Sequence, residues 1–414
     1  MSVPFKKQLE QIPKRLGRYE VRAKIADGGM ATIYLGRGSG SALRASERVV
    51  ALKVIKAEYS LNRDFVNMFL DEAKIVSKLS HPNVVELYEL GNEGHTPFIA
   101  MELLSGQSLW SVWEACRERN VRLRYDLVAW IGARIAQGLH HAHELRDGKG
   151  KPLNIVHRDV NASNVFITYD GQVKIIDFGL AKAANRVSRT AAGVVKGKLA
   201  YMSPEQTVGK PLDCRTDIFA LGTTLWELTV DRRLFKGKDD IETLTAVHKA
   251  KIPDPTKLVD GYPPQFWAVL RQALERDRER RFRNAHELSQ KLDECALMEG
   301  RHVDALAMKE VMHHLFAAER ERQMAWLAEA SGLDSLRSTP TSKAAPPPGT
   351  FAPATRDDID SADILEAVYH PDLTEPFELA RRKWPRGVNP RLLAGVLALL
   401  AALGFLIAAI LWKP

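Results

Sequence analysis

The residues His157-Arg158-Asp159-Val160-Asn161-Ala162-Ser163-Asn164 decide how this chain is read. An Asp and an Asn five residues apart sit between two apolar runs, Leu153-Asn154-Ile155-Val156 and Val165-Phe166-Ile167. Such a stretch is a short loop held at both ends by buried, strand-like residues. Thirteen residues beyond Asn164 comes Asp177-Phe178-Gly179, behind the apolar Val173-Lys174-Ile175-Ile176. Three polar ligands on two neighbouring rigid loops are what a nucleotide phosphate and its hard cation need. A single Asp of this kind is more often a turn residue. Two motifs in this order and separation fit that bland explanation poorly.

Upstream, Tyr19-Glu20-Val21-Arg22-Ala23-Lys24-Ile25 alternates polar and apolar, Ala26-Asp27-Gly28-Gly29-Met30-Ala31 breaks the alternation, and Thr32-Ile33-Tyr34-Leu35 resumes it. This predicts two antiparallel strands joined by a Gly turn. Gly28 and Gly29 let backbone amides approach a phosphate, although most Gly-Gly hairpins bind nothing. The next strand, 48–55, carries Lys53 among apolar neighbours, where a charge needs an anionic partner. Residues 62–79 have helical spacing, with Phe65, Phe69, Ala73, Val76 and Leu79 on one face and Glu72 as the partner expected for Lys53. Strands at 84–88 and 97–102 follow. Five strands and one helix make a small sheet-rich lobe.

Beyond Leu109 the pattern becomes helical: 108–119, 124–146, 217–228, 240–251, 265–275 and another helix from Asn284. His140, His141 and His143 cluster near one helix end. A metal site is the less favoured explanation, because no third ligand is apparent, and structural or dipole-favoured placement is preferred. Residues 303–330 continue as an amphipathic helix or pair of helices. Val311/Leu315 and Met308/Met312 mark a face packed on the preceding lobe.

Length and composition suit this plan. The chain has 414 residues, 45% hydrophobic and 27% charged, with three cysteines in no metal-type spacing. That suggests a reducing compartment without a disulfide framework. The net charge is +8, and Arg381, Arg382, Lys383, Arg386 and Arg391 supply five positive charges in one tract, so a nucleic-acid partner is not expected. Lys6 and Lys7 have no apolar run behind them, which argues against a signal peptide. Prolines scattered from 340 to 376 mark a tether with short helical turns near 360–369. Residues 392–412 carry no charge and as a helix would span about 30 Å, so they are expected to cross a bilayer once. The basic tract would keep the large domain on the cytoplasmic side of the inner membrane.

Taken together, residues 19–295 resemble a eukaryotic-type (Hanks-type) Ser/Thr protein kinase of the bacterial kind. The Gly-rich turn, Ala-Leu-Lys, helix Glu, His-Arg-Asp, Asp-Phe-Gly, Ser-Pro-Glu, Asp217 with Gly222 and a late Arg occur in the family's order. The resemblance implies an α+β, bilobal protein-kinase fold. An N-lobe would span 19–104 and a C-lobe 105–295. A lead-in (1–18), a helical extension (296–330), a Pro-rich and basic linker (331–391) and the transmembrane helix (392–412) would flank them.

The resemblance implies ATP and Mg²⁺ as cofactors, with Mn²⁺ as a possible substitute, and protein substrates as partners, with self-association in the membrane. Ile25, Ala26, Asp27, Gly28, Gly29, Met30, Ala31, Thr32 and Ile33 would cover the nucleotide, and Ala51 would contact it. Lys53 would hold the α/β-phosphates and Glu72 would hold Lys53. Met101 matches the gatekeeper, and Glu102 to Leu104 the hinge. Asp159 would be the base, and Asn164 and Asp177 the metal ligands. Asp217 would brace the catalytic loop, and Arg281 would pair with Glu205. A phosphate on Ser188 or Thr190, in the segment after Phe178 and Gly179, would pair with Arg158.

Three departures from the family pattern stand out. Ala26 and Ala31 replace glycines, Asn161 replaces a phosphate-contacting Lys, and Lys198 replaces a Thr. They motivate the alternative of a pseudokinase that binds ATP as a scaffold. Against it stand Lys53, Asp159, Asn164 and Asp177.

Overall fold

The computed structural model describes residues 13–28, 31–38, 49–60, 62–94, 96–178, 199–298, 300–331 and 368–369, all within one compact unit, Met1–Pro371. The N-terminal lobe is a six-stranded antiparallel sheet in the order β1-β2-β3-β4-β6-β5. Its strands are β1 (Arg15–Leu16), β2 (Tyr19–Asp27), β3 (Ala31–Gly38), β4 (Val49–Ile55), β5 (Leu87–Glu93) and β6 (Thr96–Glu102). A short helix α1 (Ala57–Ser60) leads into α2 (Arg63–Val76).

β4 explains how the lobe is built. Alternate side chains of a strand face opposite ways. Val50, Leu52 and Val54 join Leu16, Tyr19, Phe98 and Ala100 in one core. Ile55, from the other set, packs with Ala31, Ile99 and the α2 residues Phe65, Phe69 and Ala73 in a second core. Lys53 shares that second face and is 7% exposed.

Two expectations need correction in this lobe. Arg15–Leu16 is not loose lead-in: it pairs with Tyr19–Glu20, and Leu16 is fully buried. The strand expected at 84–88 begins only at Leu87. Asn83 to Val85 instead stitch the two lobes together. Asn83 Nδ2 donates to Val173 O (2.9 Å), Ile175 N to Asn83 O (2.9 Å) and Val85 N to Ile175 O (3.0 Å).

The C-terminal lobe opens with β7 (Gly106–Ser108), α3 (Leu109–Glu118) and β8 (Arg122–Leu123). At its centre runs α4 (Tyr125–His143), buried along nearly its whole length. Gly138 on α4 is where the 83–85 crossing passes. A Cβ there would meet Ile175 Cδ1 at 2.9 Å and Asn83 O at 3.0 Å. Strands β9 (Val165–Thr168) and β10 (Val173–Ile175) form a three-stranded sheet with β7. The remaining helices are α5 (Pro204–Thr207), α6 (Arg215–Val230), α7 (Asp240–Lys249), α8 (Pro264–Ala273), α9 (Ala285–Ala296) and α10 (Ala305–Ser331). Asn284 caps α9, its side chain accepting Glu287 N at 2.9 Å.

Helix α10 is broken at Phe316, whose φ of −132° is not helical. Met308, Val311, Met312, Leu315 and Phe316 are buried in the same core as α3, α4 and α6. The turns expected near 360–369 are replaced at Val368–Tyr369 by a strand, β11, paired antiparallel with β8. Among the described residues no helix is long and apolar enough to cross a membrane, and the 392–412 segment lies outside them.

Candidate active site

The loop 157–164 is positioned from below by one carboxylate. Asp217, fully buried at the start of α6, accepts from His157 N (2.8 Å), Arg158 N (2.7 Å) and His143 Nε2 (2.8 Å). Burial opposes its charge, but the hydrogen bond and field of His143, with His157 and the Arg158 amide, hold the carboxyl below its usual range. This clamp holds Arg158 in a left-handed conformation (φ +68°) that residues other than glycine seldom adopt. His143, expected to have a structural or dipole-favoured placement, is part of the brace. Among the described residues no three His, Cys, Asp or Glu side chains converge as a metal site would require.

Asp159 sits on this platform, 8% exposed. Asn161 Nδ2 donates to its Oδ1 and Asn164 Nδ2 to its Oδ2, both at 2.9 Å. Both amides also bond the Asp159 carbonyl, at 3.0 and 2.7 Å. Asn161 further caps the 3₁₀ turn Ala162–Asn164, its Oδ1 accepting Ser163 N at 2.9 Å. The carboxylate is therefore oriented by two neutral donors, one on each oxygen.

Ile176 joins this loop to the next one. Its amide donates to Asn164 O (3.0 Å), and His157 Nε2 bonds its carbonyl (3.1 Å). His157 Nδ1 accepts Asp159 N at 3.3 Å, so Nε2 carries the proton in the neutral ring. Phe178 is buried against the His157 ring, centroids 4.6 Å apart. Between Ile176 and Phe178, Asp177 takes a left-handed φ of +60° and accepts from Lys53 Nζ at 2.7 Å. Asn164, with Nδ2 given to Asp159, offers Oδ1 as a ligand atom. Together with the Asp177 carboxylate it forms a hard-oxygen pair of the kind Mg²⁺ accepts.

Lys53 and Asp177 close one end of a cavity of about 390 Å³ between the lobes. Its other walls include Ile25, Ala26, Ile33, Ala51, Met101 and Glu102 to Leu104. At the hinge, Glu102 N donates to Glu86 O (2.9 Å) and the Glu102 carboxylate pairs with Lys174 (2.8 Å). A backbone donor for an adenine edge therefore falls to Leu103 or Leu104. In the glycine turn, Asp27 faces Thr32, Ala26 faces Ile33, and Gly28 N donates to Ala31 O at 2.9 Å. Asp27 is held by Lys24 (2.6 Å) and Lys56 (2.9 Å), whose hydrogen bonds lower its carboxyl to about 2. Gly29 and Met30 lie outside the described residues, as do Gly179, Ser188, Thr190 and Lys198. Glu72 falls on α2, but its side chain lies outside the described residues too.

Below the cleft, Arg281 meets Glu205 in a two-pronged pair, 2.8 and 2.9 Å, with both side chains buried. Thr216 Oγ1 donates to the same carboxylate at 3.0 Å. Burial works against the Glu205 charge, and Arg281 outweighs it, leaving the carboxyl below its usual range. The guanidinium also lies over the Phe219 ring, 4.8 Å from its centroid. The three thiols lie outside this machinery. Burial pushes Cys116 up to about 12, and Cys214 and Cys295 up to about 11.

Comparison with known proteins agrees with this geometry. The protein kinase domain family model matches residues 19–292. A tyrosine-protein kinase, MasK of Myxococcus xanthus, is 39% identical over 277 residues, covering 67% of this chain and 43% of that protein. The serine/threonine-protein kinase PknL of Mycobacterium bovis is 35% identical over 279 residues (67% and 66%). PrkC of Bacillus subtilis, a serine/threonine-protein kinase, is 31% identical over 278 residues (67% and 40%). The chain thus spans less than half the length of two of these three relatives. The crystal structure of the Mycobacterium tuberculosis PknI kinase domain superposes with a TM-score of 0.51 at 22% identity, covering 68% of this chain and 97% of that one. It shares the bilobal fold, with a curled sheet over a helical lobe. The chain belongs to the protein kinase family.

Proposed function

We propose that this chain is a serine/threonine protein kinase, transferring the γ-phosphoryl group of ATP to Ser and Thr hydroxyls of proteins, its own included. The observation that carries this is the double hydrogen bond through Ile176, which ties the loop of Asp159 and Asn164 to Asp177 beside Lys53. Asp159, oriented by Asn161 and Asn164, accepts the hydroxyl proton and aims the oxygen. Lys53 moves its charge from Asp177 to the nucleotide phosphates. Asn164 and Asp177 would hold Mg²⁺, which would supply charge neutralisation at the transferring group. Catalysis is then mainly positioning and electrostatics.

The Ser/Thr preference follows the PknL and PrkC resemblance, whereas the MasK resemblance favours tyrosine. Phosphoamino-acid analysis of autophosphorylated protein separates the two. Phosphoserine and phosphothreonine are expected, and phosphotyrosine alone would reverse the assignment.

Two finer features complete the proposal. Arg158 Nε is buried without a hydrogen-bond partner among the described residues, which suits a phosphate on Ser188 or Thr190. Active protein modified at neither residue would remove that role. Residues 392–412 anchor the chain in the inner membrane with the kinase in the cytoplasm, where clustering favours phosphorylation between chains. Deleting 386–414 should release the kinase from the membrane fraction and slow its autophosphorylation in cells. Unchanged fractionation would remove the anchor.

A further inference from the structure

The cavity between the lobes has a wall that the kinase family match does not supply. Glu319 and Gln323 line it together with Ile25, Ala26, Gly106 and Gln107. Both belong to α10, beyond residue 292 where the family match ends. They are four apart, so they share a helix face.

Their placement is fixed by the first half of the helix. Met308, Val311, Met312 and Leu315 are at most 1% exposed. Arg119 Nη2 donates to Leu315 O at 2.7 Å. Gly171, at φ +80°, lets α10 come so close that a Cβ there would lie 1.8 Å from Ala305 O. After the break at Phe316 the second half runs beside the cleft.

The chemistry of this wall is specific. Gln323 Oε1 is a buried acceptor with no hydrogen-bond partner among the described residues. Such an orphan is costly unless something donates to it. Glu319 adds a half-buried carboxylate, with Arg322 donating to Oε1 at 2.8 Å. Both side chains therefore line the cavity, Glu319 with a carboxylate and Gln323 with an amide. A nucleotide with its base at Met101 to Leu104 and its phosphates at Lys53 and Asp177 must run its sugar between those ends. There ribose offers two adjacent hydroxyl donors. With α10 in place the cavity still measures about 390 Å³, within the roughly 300–1,000 Å³ of small-ligand sites, so the helix walls the site and does not fill it.

We propose that α10 completes the nucleotide site, with the Glu319 carboxylate and the Gln323 amide hydrogen-bonding the ribose 2′- and 3′-hydroxyls. This rests on the kinase function proposed above. The two are separable because the test reads binding.

The test is calorimetric titration of the full chain, in mild detergent, with Mg²⁺ and ATP, 2′-deoxy-ATP or 3′-deoxy-ATP. Glu319→Ala should weaken ATP binding about tenfold and Gln323→Ala about fivefold. Both variants should bind the deoxy analogues nearly as the parent does. Glu321→Ala, on an exposed position of the same helix, should match the parent throughout. ATP binding by the parent with unchanged affinity in Glu319→Ala and Gln323→Ala would overturn the ribose contact alone. Tighter binding by the variants would overturn it too, making α10 a competitor for the site. A parent that binds no ATP would overturn both this contact and the kinase function.

Discussion

Asn161 donates from Nδ2 to Asp159 Oδ1 at 2.9 Å while its own Oδ1 accepts Ser163 N at 2.9 Å. One side chain thus orients the carboxylate and caps the turn that carries Asn164. Asn161→Ala removes both functions. Transfer should fall roughly tenfold, and the lost cap, worth about 1 kcal/mol, should lower Tm by about 2–4 °C. Asn161→Lys restores a donor and adds charge near the phosphates without the cap, so transfer should rise while Tm still falls. Steady-state kinetics and melting curves on the same preparations check both. Parental kcat in Asn161→Ala would detach this residue from the work of Asp159.

Arg281→Ala leaves the Glu205 carboxylate buried with only neutral donors such as Thr216 and Ser203, and stability should drop by about 3–5 kcal/mol. The pH dependence should also invert. In the parent, Glu205 has a folded value below its usual 4.5. Its stabilisation is complete above pH 4.5 and is lost as pH falls through the folded value. Without Arg281, burial raises the folded value, so acidification from neutrality should stabilise the variant. Urea titrations from about pH 3 to pH 7.5 show the two slopes, the parent's below pH 4.5 and the variant's above it.

Asp217→Asn can accept no more than part of what Asp217 accepts, and its amide meets at least one N–H donor head-on. Arg158 then loses support for its left-handed backbone. We expect transfer to fall about a hundredfold with a stability loss of about 3 kcal/mol. His143→Phe deletes one donor to the same carboxylate and should show a smaller version of both effects. Retained activity in Asp217→Asn would mean the loop holds its shape without the clamp.

Lys53→Met removes a nearly buried charge together with one partner of Asp177. Transfer should be lost while melting temperature changes little, since the thioether side chain refills the space. Parallel activity and thermal-shift measurements check this. A variant that unfolds would make Lys53 a structural residue first.

Much of the fold follows from periodicity in the sequence. Helices α2, α4 and α6 bury one or all faces, and their apolar spacing marks them within a few residues. Arg15–Leu16 escaped because two residues carry no period, and Val84–Val85 misled because an apolar pair at a lobe junction looks like a strand. The catalytic loop was legible through its motif, and the Arg281–Glu205 pair through two charges in family positions. His143 was not legible, since nothing local marks a helix-end histidine as the partner of an aspartate 74 residues away. Glu319 and Gln323 were hidden for the same reason: a long-range closure of the cleft leaves no trace in the α10 pattern.

The central claim is that Asp159 makes this chain a phosphoryl-transfer enzyme. The direct measurement incubates the full chain with Mg²⁺, γ-labelled ATP and a generic protein substrate, beside Asp159→Asn. The account predicts label on the parent and on the substrate, reduced at least a hundredfold in the variant. Equal labelling by parent and variant, or no label in either, would contradict it.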